Sequence, residues 1–280
     1  MRELQVGLIT EAVRRLCIES SCILKPDLLL ALENARDREE SPLGKELLRQ
    51  LLENAEIAKQ NLLPLCQDTG MAVIFADIGQ DVHFTGGSLE DAINEGVRAG
   101  YRDGCLRKSV LDGPFTRRNT GDNTPAIIHY RIVPGDRVHL SMMPKGFGGE
   151  NMSRIYMLKP SDGIEGVKRV ILEAVEQADG FPCPPTVIGV GIGGDFEKAA
   201  LSAKHALLRP VGEPSPDPFA ADLEKELLES INRLGIGPQG LGGRFTSFAI
   251  HIETYPTHIA ALPVAVNISC NSTRRAECEI

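Results

Sequence analysis

The spacing of apolar residues in the first quarter of the chain is typical of amphipathic helices. Leucines recur three and four positions apart over residues 26–59, with charged residues between them, and residues 3–18 follow the same period. Both stretches are therefore predicted to be helical. Further helices are predicted over 88–104, with Ser88 as the N-cap, and over 163–180, 196–208 and 219–234.

Short apolar runs between these helices indicate strands. MAVIFADI, residues 71–78, is predicted to be a buried strand, and further strands are predicted at 186–192, 247–255 and 258–268. Residues 126–133 and 137–143 alternate across a Pro-Gly-Asp turn, which predicts a β-hairpin. The order of elements predicts an α+β fold, with a helical N-terminal region followed by mixed strands and helices in a single large domain over residues 1–280.

Charge and length exclude several classes of protein. The formal net charge is -8 and the pI is about 5.4, so the chain lacks the basic surface of nucleic-acid-binding proteins and of proteins that bind membrane surfaces. No apolar run approaches the roughly 20 residues of a spanning helix. The N-terminus carries charges throughout, unlike a signal peptide. A cytoplasmic location is therefore expected.

Three of the seven cysteines differ from the others in their setting. Without any CxxC pair, cytoplasmic cysteines are expected to be reduced thiols or metal ligands. Cys66 in LPLCQDTG, Cys183 in GFPCPPT and Cys270 in NISCNST each lie in a loop at the edge of an apolar strand. Such loops suit an iron–sulfur cluster, which is tuned by hydrogen bonds to sulfur, and plain packing is the alternative. Packing or inert thiols are expected for the other four, Cys17, Cys22, Cys105 and Cys278.

Other motifs have both a structural and a functional interpretation. GVGIGG, Gly189–Gly194, matches the dinucleotide fingerprint between a strand and a helix, but no acidic residue ends a second strand about 20 residues later. A tight strand-to-helix turn is the favoured interpretation. KGFGGEN, Lys145–Asn151, is a glycine turn that either brings N–H groups to an anion or forms a plain loop. His258 precedes an apolar strand, where a lone histidine is more often structural than catalytic.

LPLCQDTG, KGFGGEN, GFPCPPTVIGVGIGGD and PTHIAALPVAVNISCNSTRR occur together and in order. With these motifs the chain resembles the class I, iron–sulfur fumarate hydratases over nearly its full length. It is most similar to the α subunit of their two-subunit form, a family shared with the L-tartrate dehydratase α subunit. The resemblance implies a [4Fe–4S] cluster held by Cys66, Cys183 and Cys270, with one iron not ligated by protein. It also implies catalytic roles for Asp68 and His258, and substrate binding by Gln67, Asp68, Arg107, Gly148 and Gly149.

The same resemblance implies a reaction and a partner. The expected activity is the reversible dehydration of (S)-malate to fumarate, a step of the tricarboxylic acid cycle, with L-tartrate to oxaloacetate as the alternative. The proton-transfer group of the family belongs to a separate C-terminal domain, so a β subunit is expected to supply it in an α₂β₂ heterotetramer. The segment after Cys270 is expected to be a loop that packs on nothing in this chain. A nucleotide-dependent oxidoreductase and a non-catalytic scaffold are the competing hypotheses.

Overall fold

A computed structural model describes all 280 residues, and it mixes helices with sheets. The helices are α1 (Val6–Cys22), α2 (Pro26–Arg38), α3 (Pro42–Asn61), α4 (Leu89–Asp103), α5 (Phe147–Glu150), α6 (Gly163–Ala178), α7 (Phe196–Ala206) and α8 (Pro218–Asn232). The strands are β1 (Arg2–Gln5), β2 (Met71–Gly79), β3 (Val82–Thr85), β4 (Ile127–Val133), β5 (Val138–Lys145), β6 (Arg154–Leu158), β7 (Thr186–Gly193), β8 (Ser247–Tyr255), β9 (Leu262–Ser269) and β10 (Ala276–Glu279). The predicted α+β class is confirmed. None of the helices combines the length and the apolar character that crossing a bilayer requires.

Backbone contacts divide the chain into two compact units. Unit 1 contains Met1–Lys25, Asn54–Gly146 and Arg274–Ile280, and unit 2 contains Pro26–Glu53 and Phe147–Thr273. The chain therefore leaves unit 1 twice and returns to it for its last residues. The assignment of residues 1–280 to one cluster-binding domain stays a prediction.

Unit 1 is built on a four-stranded sheet in the order β10–β5–β2–β4. Helices α1 and α4 pack on each other and bury an aliphatic core against this sheet, with Ile74 and Leu140 among its fully buried members. The predicted N-cap is confirmed, because the Ser88 side chain accepts a hydrogen bond from the Asp91 N–H at 3.4 Å. With few aromatic residues available, aliphatic side chains supply nearly all of this core.

The predicted hairpin is wrong, although both of its strands exist. Strand β2 lies between β4 and β5, parallel to the first and antiparallel to the second. The residues that link β4 to β5 bond to the end of β2, since the Gly79 N–H donates to the Arg137 carbonyl and the Gln80 N–H to the Val133 carbonyl. Most of β2 is buried, as expected for a central strand.

Unit 2 is a sheet in the order β6–β9–β7–β8 with helices on both faces. Helices α6 and α8 cover the face of Ile188 and Val190. Helix α7 covers the opposite face, where a Cβ on Gly189 would lie 2.0 Å from the Ala203 carbonyl oxygen and one on Gly191 would lie 2.1 Å from that of Ala199. The glycines of GVGIGG are therefore required by close helix–sheet packing.

Three further expectations need correction. The helix predicted over 26–59 is two helices, α2 and α3, because the Glu39 carboxylate accepts the N–H groups of Glu40 and Ser41 and ends the first. The helix predicted from residue 3 begins at Val6, after the short strand β1. The segment after Cys270 is not uncovered, because β10 pairs antiparallel with β5 in unit 1.

Candidate functional site

The Cys66 loop lies at one edge of the unit 1 sheet, namely the end at which β2 begins and β5 ends. Hydrogen bonds from two other segments fix it in place. The Leu65 N–H donates to the Ser21 carbonyl at 2.9 Å, and Asn54 Nδ2 donates to the Leu65 carbonyl at 2.9 Å. Leu65 is buried, so the loop is anchored by an apolar side chain immediately before the half-buried thiol of Cys66. Helix α3 therefore ends before Pro64, and the loop that follows it places the partly exposed thiol of Cys66 at the surface of unit 1.

The residues after Cys66 turn back on its sulfur. The Asp68 N–H donates to Cys66 Sγ at 3.4 Å, and the Gly70 N–H donates to Asp68 Oδ1 at 2.9 Å. Gln67 Oε1 accepts from the Cys66 thiol at 3.3 Å while the rest of this side chain is exposed. Backbone N–H groups that donate to sulfur are among the contacts that tune iron–sulfur clusters. The loop therefore presents a thiol, an amide and a carboxylate together.

Two buried side chains hold the end of this loop. Tyr101 is fully buried and its hydroxyl donates to the carbonyls of Thr69 at 2.8 Å and Gly70 at 3.1 Å. Asn123 Nδ2 also donates to the Gly70 carbonyl, at 3.1 Å. Gly70 has φ +71°, and a Cβ there would lie 2.7 Å from the Lys145 backbone, so only glycine fits.

Arg107 reaches the same edge through its backbone. The Thr69 hydroxyl donates to the Arg107 carbonyl at 3.0 Å, which ties the two loops of unit 1 together. The Arg107 side chain is exposed, and its guanidinium makes no hydrogen bond or ion pair. Arg118, by contrast, is paired with Asp112 at 2.6 Å. The Arg107 guanidinium is therefore available to donate two hydrogen bonds to a carboxylate.

In unit 2, strand pairing brings Cys183 and Cys270 to one edge of the sheet, namely the end at which β7 begins and β9 ends. Cys183 shortly precedes β7 and Cys270 directly follows β9, and these strands pair with Val187 opposite Ser269. Asn271 donates twice to the Cys183 carbonyl, from its backbone N–H at 3.1 Å and from Nδ2 at 2.8 Å. Cys183 has φ +54°, a left-handed conformation that a free loop would rarely adopt.

The glycine turn lies at this same edge of unit 2. A Cβ on Gly149 would lie 2.4 Å from the Ile268 carbonyl oxygen, and one on Gly148 would lie 3.2 Å from that of Phe181. Both positions therefore pack backbone against backbone. On the neighbouring residue, the Glu150 carboxylate pairs with Lys204 and accepts from Asn267 Nδ2 at 3.1 Å, which anchors the turn to α7 and β9.

His258 lies at the other end of the unit 2 sheet. It is exposed on the loop between β8 and β9, and its Nδ1 accepts from the Ala260 N–H at 3.2 Å. The whole of β9, about 25 Å of extended strand, separates this loop from Cys270. Thr257 Oγ1 donates to the Gly194 carbonyl at 2.8 Å, so His258 shares its edge with the GVGIGG turn. Its catalytic role stays a prediction.

The donor chemistry of the three predicted cysteines fits an iron–sulfur cluster. Cys66 and Cys270 are half-buried and Cys183 is exposed, whereas Cys17 and Cys22 are buried. Burial raises the pKa of the Cys17 thiol to about 12 and also raises that of Cys22, so neither supplies the thiolate that binds a metal. The predicted set is divided, with Cys66 in unit 1 and the other two in unit 2, and within neither unit do three His, Cys, Asp or Glu side chains converge as ligands.

Buried cations at the unit 1 edge were not expected from the sequence. Lys145 ends β5 and is 3% exposed, and Arg274 precedes β10 and is 4% exposed. The only sequence signal for the second is the pair of arginines in TRRAECEI, which a loop without packing partners would leave in solvent. Arginine is almost never fully buried unless it is paired, so this placement is informative.

Comparison with known proteins gives consistent matches along the chain. A family model described as "Fumarate hydratase (Fumerase)" matches residues 10–279. A protein of Methanocaldococcus jannaschii named "Putative L(+)-tartrate dehydratase subunit alpha" is 43% identical over 274 residues, covering 96% of each chain. The "L(+)-tartrate dehydratase subunit alpha" of Escherichia coli strain K12 is 34% identical over 274 residues, covering 96% of this chain and 90% of that one.

Proposed function

This chain belongs to the fumarate hydratase family, and on that basis we propose that it is the α subunit of an iron–sulfur hydro-lyase. The observation that carries the proposal is the junction of the Cys183 and Cys270 loops, which Asn271 fastens together at one edge of the unit 2 sheet. The two hydrogen bonds from Asn271 to the Cys183 carbonyl fix the two cysteine loops side by side, which is the arrangement that two ligands of one cluster need. We further propose that residues 1–280 act as one cluster-binding domain.

Cys66, Cys183 and Cys270 would hold a [4Fe–4S] cluster with one iron not ligated by protein. Such a cluster, when bound, supplies a Lewis acid for the hydroxyl group of a 2-hydroxy acid. The Asp68 N–H on Cys66 Sγ and the Ser272 hydroxyl, 3.5 Å from Cys270 Sγ, support this role, because both can stabilise charge on sulfur.

The other residues of the site would bind and orient a dicarboxylate. Arg107 offers a free, planar guanidinium for one carboxylate. Asp68 and Gln67 follow Cys66 directly and would orient the hydroxyl group, while backbone N–H groups of the turn at Gly148 and Gly149 would bind a substrate carboxylate. Removing a C–H proton needs a further base, which we assign to a β subunit, with His258 as an auxiliary group.

We propose (S)-malate and fumarate as the substrate pair, in line with the description of the family model. L(+)-tartrate, which would give oxaloacetate, is the second candidate, and the names of the two relatives favour it. The two hydroxy acids differ by one hydroxyl group, and one or two hydrogen-bonding groups suffice for that selection.

The names of the relatives also support a partner, because both are called "subunit alpha". We propose a β subunit that carries the C-terminal-type domain and an α₂β₂ assembly, since closed two-fold symmetry is the commonest arrangement. The expectation that the last residues require a partner as cover no longer supports this proposal, because β10 is already paired.

The test is anaerobic purification of the chain with and without its co-expressed β subunit. We expect iron and sulfide in the ratio of a [4Fe–4S] cluster, and turnover of malate only by the complex. A complex without iron would contradict the cluster, and full turnover by the chain alone would contradict the partner. A higher kcat/KM for L(+)-tartrate than for malate would assign the second candidate. Cys105→Ser, an exposed thiol outside the predicted set, is the matched control for the cluster cysteines.

A further inference from the structure

Strand β4 is an edge of the unit 1 sheet, and its side chains are exposed. The sheet order β10–β5–β2–β4 gives β4 a neighbouring strand on one side only. Its residues Ile127, Tyr130 and Ile132 are 40%, 46% and 65% exposed. Strand β8, which is an edge of the unit 2 sheet, is by contrast buried over most of its length. The outer side of β4 therefore combines large apolar side chains with backbone groups that no strand of this chain pairs.

The usual devices that protect an edge strand are missing from β4. Proteins blunt such edges with lysine, proline, a β-bulge or an inward-pointing charge. Residues 127–133 contain neither lysine nor proline, and they pair with β2 residue for residue, without a bulge. The charge of Arg131 is compensated within the sheet, because its guanidinium pairs with both carboxylate oxygens of Asp77, with 2.8 Å between Nε and Oδ1. This edge is therefore suited to pairing with another strand.

The sequence of β4 is nearly symmetric about Tyr130, and this symmetry indicates which strand would pair with it. Residues at equal distances from Tyr130 are alike in chemistry. The matched pairs are Ile127 with Val133, Ile128 with Ile132, and His129 with Arg131. When two copies of a strand pair antiparallel around a two-fold axis at one residue, every other residue lies opposite its counterpart in such a list. Two copies of β4 would therefore place β-branched side chains opposite each other, which is a favourable cross-strand arrangement.

The same symmetry keeps the apolar face of the sheet continuous. Ile128 packs against the buried core of unit 1, and Tyr130 and Ile132 lie on the same face because side chains alternate along a strand. A two-fold axis perpendicular to the sheet keeps this face on the same side in both copies. Each Ile132 would then lie beside Ile128 of the second copy, so the most exposed apolar residue of β4 would become buried.

The basic residues of β4 do not oppose this pairing. Arg131 already has the Asp77 carboxylate as its counter-charge. His129 packs its ring against that of Phe75, with 4.9 Å between the ring centroids. Both side chains are therefore engaged with β2, on the face opposite Ile128 and Ile132.

We propose that β4 is the contact surface between two copies of this chain. The two β4 strands pair antiparallel around Tyr130 and join two four-stranded sheets into one continuous sheet. Seven paired residues give a contact about 23 Å long. For the α₂β₂ complex the inference rests on the proposed function, since it names the surface that joins the two α subunits. In the isolated chain the same pairing requires neither the cluster nor the β subunit.

The test exploits the two-fold axis, which places residue 130 opposite its own copy. Sedimentation of the full chain should show a dimer, with the Kd measured over about 1–100 µM. Tyr130→Asp and Tyr130→Lys each place two like charges face to face, so either variant alone should weaken self-association by about tenfold or more. An equimolar mixture of the two variants should restore the dimer, because aspartate then faces lysine. The control is Leu8→Asp, which adds the same charge at an exposed position of α1 and should leave the dimer unchanged.

The αβ complex distinguishes a second copy from the other possible occupant, the β subunit. Light scattering should give the mass of α₂β₂ for wild type and of αβ for Tyr130→Asp. Loss of the β subunit from this variant would assign the edge to that partner and overturn the proposal. A wild-type chain that stays monomeric, or variants that associate as tightly as wild type, would also overturn it.

A further variant keeps the proposal testable if substitutions at Tyr130 do not fold. Ile132→Lys replaces the most exposed apolar residue of β4 with a charge and should also weaken self-association by about tenfold or more. Unchanged self-association of a folded Ile132→Lys chain would contradict the proposal. A wild-type complex without iron or turnover would refute the proposed function instead, and the sedimentation of the isolated chain would still decide the role of β4.

Discussion

Replacing Tyr101 with phenylalanine tests how the Cys66 loop is held in place. The hydroxyl group is fully buried and donates to the carbonyls of Thr69 and Gly70, at 2.8 and 3.1 Å. Tyr101→Phe removes this donor without changing the packing of the ring. The Gly70 carbonyl keeps the bond from Asn123 Nδ2, so the main loss falls on the Thr69 carbonyl. Leaving a buried acceptor without its donor costs about 1–3 kcal/mol.

The assay is urea unfolding of wild type, Tyr101→Phe and Tyr130→Phe at neutral pH. Tyr130 lies on β4 and is 46% exposed, so its variant should change the free energy of unfolding by less than about 0.5 kcal/mol. We expect Tyr101→Phe to lose about 1–3 kcal/mol relative to this control. Equal stability of the two variants would refute the view that Tyr101 anchors the loop.

The pH dependence of the same variants gives an independent check. Burial raises the pKa of Tyr101 above its value of about 10 in the unfolded chain. Above pH 10 the unfolded chain therefore releases a proton that the folded protein keeps, and stability falls as pH rises, by up to about 1.4 kcal/mol per pH unit. Phenylalanine cannot ionise, so the stability difference between wild type and Tyr101→Phe should narrow between pH 10 and 11. A constant difference over that range would contradict a buried, protonated hydroxyl.

Three further outcomes are expected. Replacing any one of the three proposed ligands with serine should remove most of the iron, whereas Cys105→Ser should retain it. The ligands are Cys66, Cys183 and Cys270, and the measurement is iron analysis after anaerobic purification. Arg107→Lys should keep the cluster and lower kcat/KM by about 10- to 100-fold, equivalent to about 1–3 kcal/mol, because lysine cannot form the bidentate contact of a guanidinium. The control is Arg118→Lys. Equal effects of the two substitutions on kcat/KM would place Arg107 outside the pocket. Gly189→Ala should cost about 3 kcal/mol of stability, because its Cβ would lie 2.0 Å from the Ala203 carbonyl oxygen. Calorimetry on the wild-type protein should detect no binding of NAD, NADP or ATP at millimolar concentration. Binding at micromolar concentration would restore the oxidoreductase hypothesis.

Local patterns predicted most of the elements of this fold. The period of leucines, the cap at Ser88 and the apolar run of β2 each act over a few residues, so the sequence is sufficient to reveal them. Strand pairing is not local. The Pro-Gly-Asp turn after β4 signals a hairpin, yet β2 takes the place between β4 and β5 because its buried, apolar residues need a strand on each side.

Candidate site residues could be chosen from the sequence only where a motif is continuous in the chain. The cysteine loops stand out because proline, glycine and a thiol occur together. The burial of Arg274 depends on the pairing of β10 with β5, more than 130 positions earlier, which no spacing along the chain reveals. The same limit applies to His258, whose motif matches the family while the structure places it at the far edge of its sheet.

The pairing of β10 with β5 also has a consequence for biosynthesis. All four strands of the unit 2 sheet lie between residues 154 and 269, so a chain that is truncated before residue 276 still contains that whole sheet. Unit 1 begins with the first residues to emerge, but its sheet and the edge that contains Arg274 wait for residues 276–279. Until then, β5 presents an unpaired edge to other nascent chains and to chaperones. A released chain truncated between residues 273 and 276 should therefore contain a folded unit 2 attached to an aggregation-prone unit 1.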